Sequence, residues 1–212
     1  VSAFSRRFGD PGRKRKGTPA DLLIIGLGNP GPQFDGTRHN VGAAVVQELA
    51  DRAGARLRKS KARALTAGVL MNDKRVVLAF PQTFMNNSGE SVRLLVRGYS
   101  IQEANHIVIV HDELDLETGR LRLKEGGGLA GHNGLRSITQ HIGTTEYVRL
   151  RIGIGRPPTS QSGADYVLRR PGRAEKAELD SAVQRAADAV ELVTEVGVDA
   201  AMATVNQRPN SI

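Results

Sequence analysis

Short apolar runs and polar loops alternate along the whole chain, and the spacing within each run predicts an element. Leu22-Leu23-Ile24-Ile25 is a continuous apolar run that reads as a buried strand. Residues 40–53 carry Val41, Ala44, Val45, Leu49 and Ala53 near helical spacing, with Gly54 at the stop position. Residues 64–70 and 75–80 are strand-like, and Asn72-Asp73 between them predicts a hairpin turn. Residues 91–97 predict a helix with Val92, Leu95 and Val96 on one face, and residues 106–111 (HIVIVH) predict a strand. Residues 120–124 alternate Leu121 and Leu123 with Arg120, Arg122 and Lys124, a half-exposed strand with one cationic face. A short helix follows at 135–141. Residues 147–154 alternate again and put Arg149 and Arg151 on one face with Tyr147. Residues 157–163 read as a loop of Pro, Ser, Thr and Gly, and residues 174–196 as the longest helix, closed by Gly197.

Strands and helices intermixed in this way predict an α/β fold, a single domain whose mixed, twisted sheet is flanked by helices on both faces. The expected division is a basic flexible tail at 1–20, the α/β domain at 21–205 and a C-terminal tail at 206–212. Polar loops at 28–40, 81–88 and 111–115 follow apolar strands, and a fourth at 126–134 opens a helix. Ligands of open α/β sheets gather at the carboxyl ends of strands, so these loops are expected to meet in one cleft.

The first loop, GLGNPGPQFDGTRHN from Gly26 to Asn40, contains G-x-G-x-x-G after a strand. That pattern invites a dinucleotide site, as in a nucleotide-dependent oxidoreductase. Two features argue against it. Pro30 and Pro32 remove backbone N–H donors, and no helical pattern starts until about Asn40. The acidic residue wanted about 20 positions on, at a strand end, is also missing, because Asp51 lies in a helical pattern.

Composition narrows the field further. The 212 residues contain no Cys, which excludes disulfides, Cys-zinc sites and thiol nucleophiles and makes a cytoplasmic protein the expectation. No apolar run is long enough to span a membrane, and no apolar segment of signal-peptide type follows the basic first 20 residues. Of the formal charge of +8, residues 1–20 hold +5. A solvated leader and a phosphate-binding arm both fit that tail. Arg56, Arg58, Lys59, Lys61 and Arg63 form a second basic run, for which a solvated connection and a polyanion patch both remain open.

The loops carry His39, Asp112, Asn29, Asn86, Asn133 and His132. A His backed by a carboxylate is the usual pair for general-base work, because the carboxylate fixes the ring tautomer and stabilises the protonated form. Asparagines add donors for a developing oxyanion and acceptors that orient a substrate amide or amine. No G-x-S-x-G elbow occurs, so an activated water is the expected nucleophile. His111, Asp112, Glu113 and Asp115 cluster, yet H-E-x-x-H and a His pair at i, i+4 are both absent, and no metal or cofactor is expected. His106 and His111 read as structural.

Six segments give a resemblance. They are Gly26-Leu27-Gly28-Asn29-Pro30-Gly31, Thr37-Arg38-His39-Asn40-Val41-Gly42, Phe84-Met85-Asn86-Asn87-Ser88-Gly89, His111-Asp112-Glu113-Leu114-Asp115, Gly126-Gly127-Gly128 through Gly131-His132-Asn133-Gly134-Leu135, and Arg149-Leu150-Arg151-Ile152-Gly153-Ile154-Gly155. In this order they resemble bacterial-type peptidyl-tRNA hydrolase, from residue 22 to about 200. The resemblance implies hydrolysis of the ester between peptide and tRNA by a monomer, which frees the tRNA for reuse in translation. It implies His39 as general base, Asp112 as its support, and Asn29 as the group that tells a blocked amine from a free one. Asn86, Asn133 and His132 would hold substrate, Phe84 and Phe34 would line the tRNA side, and Lys124 and Arg151 would clamp a tRNA phosphate. The chain departs from the family at Phe34, where Tyr is common, and at Leu129-Ala130, where a Gly is usual. It departs again at Ala203-Thr204-Val205-Asn206. A non-catalytic RNA-binding relative of the same fold is the alternative, and retention of His39, Asp112 and the three asparagines speaks against it.

Overall fold

The structure is a computed structural model that describes residues 19–157 and 162–207. Of the expected tails at 1–20 and 206–212, residues 1–18 and 208–212 lie outside the described residues, as do residues 158–161 of the loop at 157–163. Strand β1 (Leu22–Gly26) is buried at every position, as its unbroken apolar run requires. It leads through two 3-10 turns into α1 (Val41–Arg52). A two-residue strand β2 (Arg58–Lys59) precedes the hairpin of β3 (Ala64–Met71) and β4 (Lys74–Pro81). Both turn residues of that hairpin, Asn72 and Asp73, are left-handed (φ 46 and 60), the conformation Asn and Asp tolerate best. Then come α2 (Ser88–Gly98), β5 (Ile107–Glu113), β6 (Leu121–Glu125), α3 (Asn133–Ile142) and β7 (Val148–Gly153). The described chain ends with α4 (Gly163–Val167), α5 (Arg173–Val196) and α6 (Val198–Val205).

Seven strands make one sheet in the order β2-β3-β4-β1-β5-β7-β6. β4, β1, β5 and β7 run parallel, and β3 and β6 run against their neighbours. Helices α1, α5 and α6 pack their apolar stripes on one face, with Val45, Leu49, Val190 and Ala201 in that core. Helices α2 and α3 cover the other with Val92, Leu95, Leu135 and Ile138. The α/β class, the mixed sheet and the helices on both faces are as expected.

Three local features differ from the expectation. The strand expected to end at His111 continues as β5 through Asp112 and Glu113, because both pair with β7 in parallel register; the polar loop starts only after them. Gly163 opens a helix rather than closing a loop, and Ser162 caps it by accepting from the Asp165 N–H. The Asn206 amide bonds both ways to Leu123, donating from Nδ2 to its carbonyl and accepting from its N–H, both at 2.8 Å. That side chain satisfies backbone groups of the edge strand β6, which an edge otherwise exposes.

The approach of α1 to the sheet needs glycine at two points. A Cβ on Gly42 would lie 2.2 Å from the Val110 carbonyl oxygen, and one on Gly26 would lie 2.1 Å from the Gly42 carbonyl oxygen. Two missing side chains thus let the helix start press on the ends of β1 and β5, where the candidate residues are.

Candidate active site

The cleft forms where the expected loops meet at the carboxyl ends of the parallel strands. His39 comes from the 3-10 turn Arg38–Asn40, just before α1. Asp112 lies in β5 and is 3% exposed. His39 Nδ1 is 2.8 Å from Asp112 Oδ1. A buried carboxylate accepts, so Nδ1 carries the proton and donates, and in the neutral ring Nε2 keeps its lone pair.

A second imidazole shares the same oxygen. His132 Nδ1 accepts from the Gly134 and Leu135 N–H groups at 3.1 and 3.3 Å, and so caps α3. That leaves the His132 proton on Nε2, which donates to Asp112 Oδ1 at 3.2 Å. His111 stands edge-on to His132 with ring centroids 5.0 Å apart, and its Nδ1 donates to the Asp112 carbonyl at 2.7 Å. Burial pushes the Asp112 carboxyl up. The His39 charge and the hydrogen bond from His132 outweigh it and hold the carboxyl well below its usual range. Burial, then charge on His132, pushes His111 down to about 3 and keeps it neutral.

The ligating atoms of His39, Asp112 and His132 lie within 4.8 Å of one another, near enough to consider a divalent cation. The hydrogen bonds oppose that use. His132 can offer Nε2 to a metal only by moving its proton to Nδ1, against two amide donors.

The asparagines converge from three loops. Asn29 is buried, and its Oδ1 accepts from the Met85 N–H at 2.7 Å, which pins the 84–87 loop to the loop after β1. Asn40 brackets the Asn29 backbone, accepting from its N–H and donating to its carbonyl, both at 2.9 Å. Gly134 packs against the Met85 sulfur, which brings the start of α3 to the same loop. Asn133 Oδ1 accepts from Arg136 at 3.0 Å. Asn86 is exposed. Phe84, 57% exposed, meets Phe34 edge-on at 6.3 Å.

Lys124 and Arg151 stand on the β6–β7 ribbon beside the cleft. The register sets Lys124 opposite Arg149 and Arg122 opposite Arg151, so the two residues named for a clamp are diagonal neighbours. Arg151 is ion-paired with buried Glu113 at 2.9 Å.

Two supports escaped the sequence reading. Arg38 is buried beside His39. It grips Glu175 through Nε and Nη2 at 2.6 and 2.5 Å, donates to the Tyr166 and Arg169 carbonyls, and lies 4.0 Å over the Tyr166 ring. The sequence signal was present, an Arg between Thr37 and His39, but its partner lies 137 residues away. The sharing of Asp112 by His132 was likewise hidden, since it depends on α3 starting at Asn133.

The family model described as Peptidyl-tRNA hydrolase matches residues 23–211. A peptidyl-tRNA hydrolase of Mycolicibacterium gilvum is 48% identical over 187 residues, which cover 87% of this chain and 96% of the relative. One from Rhodococcus erythropolis is 50% identical over 181 residues, covering 84% and 94%. A crystal structure of peptidyl-tRNA hydrolase from Acinetobacter baumannii superposes with a TM-score of 0.83 at 39% identity, covering 91% of this chain and 98% of that one. The chain belongs to the peptidyl-tRNA hydrolase family.

Proposed function

We propose that this protein hydrolyses the ester bond between peptide and tRNA, with a water activated by His39 as the nucleophile. The observation that carries this reading is the 2.8 Å bond from His39 Nδ1 to Asp112, which leaves Nε2 as the acceptor on the ring. Nε2 takes a proton from water as the oxygen attacks the ester carbonyl. The buried Asp112 carboxylate stabilises the imidazolium that forms. The proton then passes to the leaving ribose oxygen, giving a free peptide carboxylate and intact tRNA. General-base assistance of this kind supplies roughly 10²–10⁴-fold in rate.

The asparagine amides suit the rest of the substrate. With Oδ1 engaged by Met85 and by Arg136 respectively, Asn29 and Asn133 offer Nδ2 donors to a ligand. A donor suits the carbonyl oxygen of a blocked, amide-linked amine and has nothing to bond in a free ammonium, which only donates. Discrimination between the two follows from unpaired polar groups, as in other sites built around a hydrogen bond. Phe34 and Phe84 offer rings on which a base of the tRNA 3′ end stacks.

All of these groups come from one chain, which supports action as a monomer. Among the described residues no helix is long and apolar enough to cross a membrane. The absence of Cys fits a cytoplasmic setting. The non-catalytic reading is disfavoured because binding alone has no use for the His39–Asp112 pair.

The test is incubation with N-acetyl-aminoacyl-tRNA and, separately, with unblocked aminoacyl-tRNA. Cleavage of the first and sparing of the second is the expected result. Binding without cleavage of either would favour the RNA-binding relative.

A further inference from the structure

His132 touches two other imidazoles, with ring centroids 5.1 Å from His39 and 5.0 Å from His111. His39 and His132 are both bonded to the Asp112 carboxylate. His111 takes no part in the proton transfer, and as a space-filling group it is poorly suited to its place. It is 1% exposed, and its Nε2 is buried without a partner. A buried polar atom left unpaired opposes folding. An apolar ring of similar shape would fill the same space without that penalty.

The other ring nitrogen supplies the reason for a histidine. Strand β5 outruns β1. The pairing of the two strands ends at Gly26 and Val110, and the Leu27 N–H makes the last bond, to the Val110 carbonyl at 2.9 Å. Backbone carbonyls alternate sides along a strand. The Glu113 carbonyl faces the other way and accepts from the Ile154 N–H, just past β7, at 3.0 Å. The Asp112 carbonyl therefore points to the β1 side, two residues beyond the end of that pairing. A continued β1 would bring the Asn29 N–H to it, but that N–H is already held by Asn40 Oδ1. His111 Nδ1 donates to the Asp112 carbonyl instead, at 2.7 Å. A buried carbonyl needs such a partner. Without it the peptide after Asp112 could rotate and carry Oδ1 away from both rings.

We infer that His111 is a positioning residue of the general-base pair: its Nδ1–H closes the open side of β5 and so fixes Asp112 beneath His39. The inference rests on the reading of the protein as a peptidyl-tRNA hydrolase. It adds a residue that touches neither the substrate nor the reacting atoms.

The experiment compares wild type, His111→Phe and His111→Asn in steady-state cleavage of N-acetyl-aminoacyl-tRNA, with thermal melting of each free protein. Phe keeps a ring and loses the donor. Asn loses the ring and keeps an N–H on the atom bonded to Cγ, where Nδ1 stands in histidine. His111→Phe is expected to lose about tenfold or more in kcat, with KM within about twofold of wild type. It should still melt above His111→Asn, which leaves a cavity where the ring was. His111→Asn should exceed the Phe variant in kcat by about threefold or more, despite its lower melting temperature. Activity and stability then run in opposite orders, which a merely structural residue does not produce. A smaller loss of kcat in His111→Phe, or kcat and melting temperature that fall in the same order, would overturn the inference. Should His111→Phe not fold, His111→Leu, smaller and equally without a donor, is read in its place. Absence of cleavage by wild type would remove the hydrolase reading itself, and the inference with it.

Discussion

Replacing Asp112 by Asn keeps the shape of the site and removes its charge. The carboxylate is 3% exposed, and its Oδ1 accepts from both His39 and His132. An amide oxygen at the same place can still accept from both rings, so the neutral ground state changes little. The transition state does change, because the imidazolium on His39 then has no anion beside it. Two unit charges about 4 Å apart at an effective dielectric near 20 interact by about 4 kcal/mol, which is about a thousandfold in rate. If the amide instead turns its NH₂ group toward the rings, His39 must give up its donor at Nδ1. Its proton then moves to Nε2, where it blocks the base, and the loss grows toward about 10⁴-fold. The assay is single-turnover cleavage of N-acetyl-aminoacyl-tRNA, followed by gel, with thermal melting to confirm that the variant is folded. A folded Asp112→Asn enzyme within tenfold of wild type would refute the argument that this charge drives the step.

Other perturbations reach the supports of the site. His111 is fully buried, and its pKa falls from 6.5 to about 3, so between those values the unfolded chain binds a proton that the folded chain excludes. Its stabilising contribution is whole above about pH 6.5 and is lost as pH falls toward 3, several kcal/mol at the acid end at about 1.4 kcal/mol per unit. His111→Asn should therefore flatten urea-measured stability between pH 6.5 and 4, and an unchanged slope would count against that assignment. Gly42→Ala places a Cβ 2.2 Å from the Val110 carbonyl oxygen and should destabilise by about 3 kcal/mol in urea titration, where a loss below 1 would contradict the close approach. Arg38→Lys keeps the charge but loses the forked contact to Glu175, and a cost of about 2 kcal/mol with reduced kcat is expected; wild-type kcat in the folded variant would remove Arg38 as a support of His39. Ala130 is left-handed at φ 47, and Ala130→Gly should raise stability by about 0.5 kcal/mol once the flexibility of glycine is subtracted.

Sequence pattern carried the core of the fold because the core is local in character. The run Leu22-Leu23-Ile24-Ile25 became a strand buried at each of those positions, and Asn72-Asp73 became the hairpin turn. The fold class followed from the alternation of elements alone. What was hidden depended on distant pairing. Asp112 and Glu113 looked like the start of a loop because they are polar, yet β7 pairs with each of them, and burial beside the strand is what gives the polar groups their work. Gly163 looked like loop, and a helix starts there under a Ser162 cap. The candidate residues were named from loop chemistry, but their division of labour needed coordinates. The sharing of Asp112 by two imidazoles and the engagement of Arg151 by Glu113 join segments with no common pattern in sequence. The departure at Ala130 is also clearer in the structure: the backbone there is left-handed, the conformation for which glycine is the easier residue.

The most direct test of the account is His39→Ala, assayed for single-turnover cleavage of N-acetyl-aminoacyl-tRNA alongside direct measurement of tRNA binding. The account predicts that cleavage falls at least a thousandfold while affinity stays within about threefold of wild type, since the groups proposed to contact tRNA, the Phe34 and Phe84 rings and the basic β6–β7 ribbon, are other side chains. Cleavage within tenfold of wild type, in protein free of contaminating hydrolase, would show that another group activates the water.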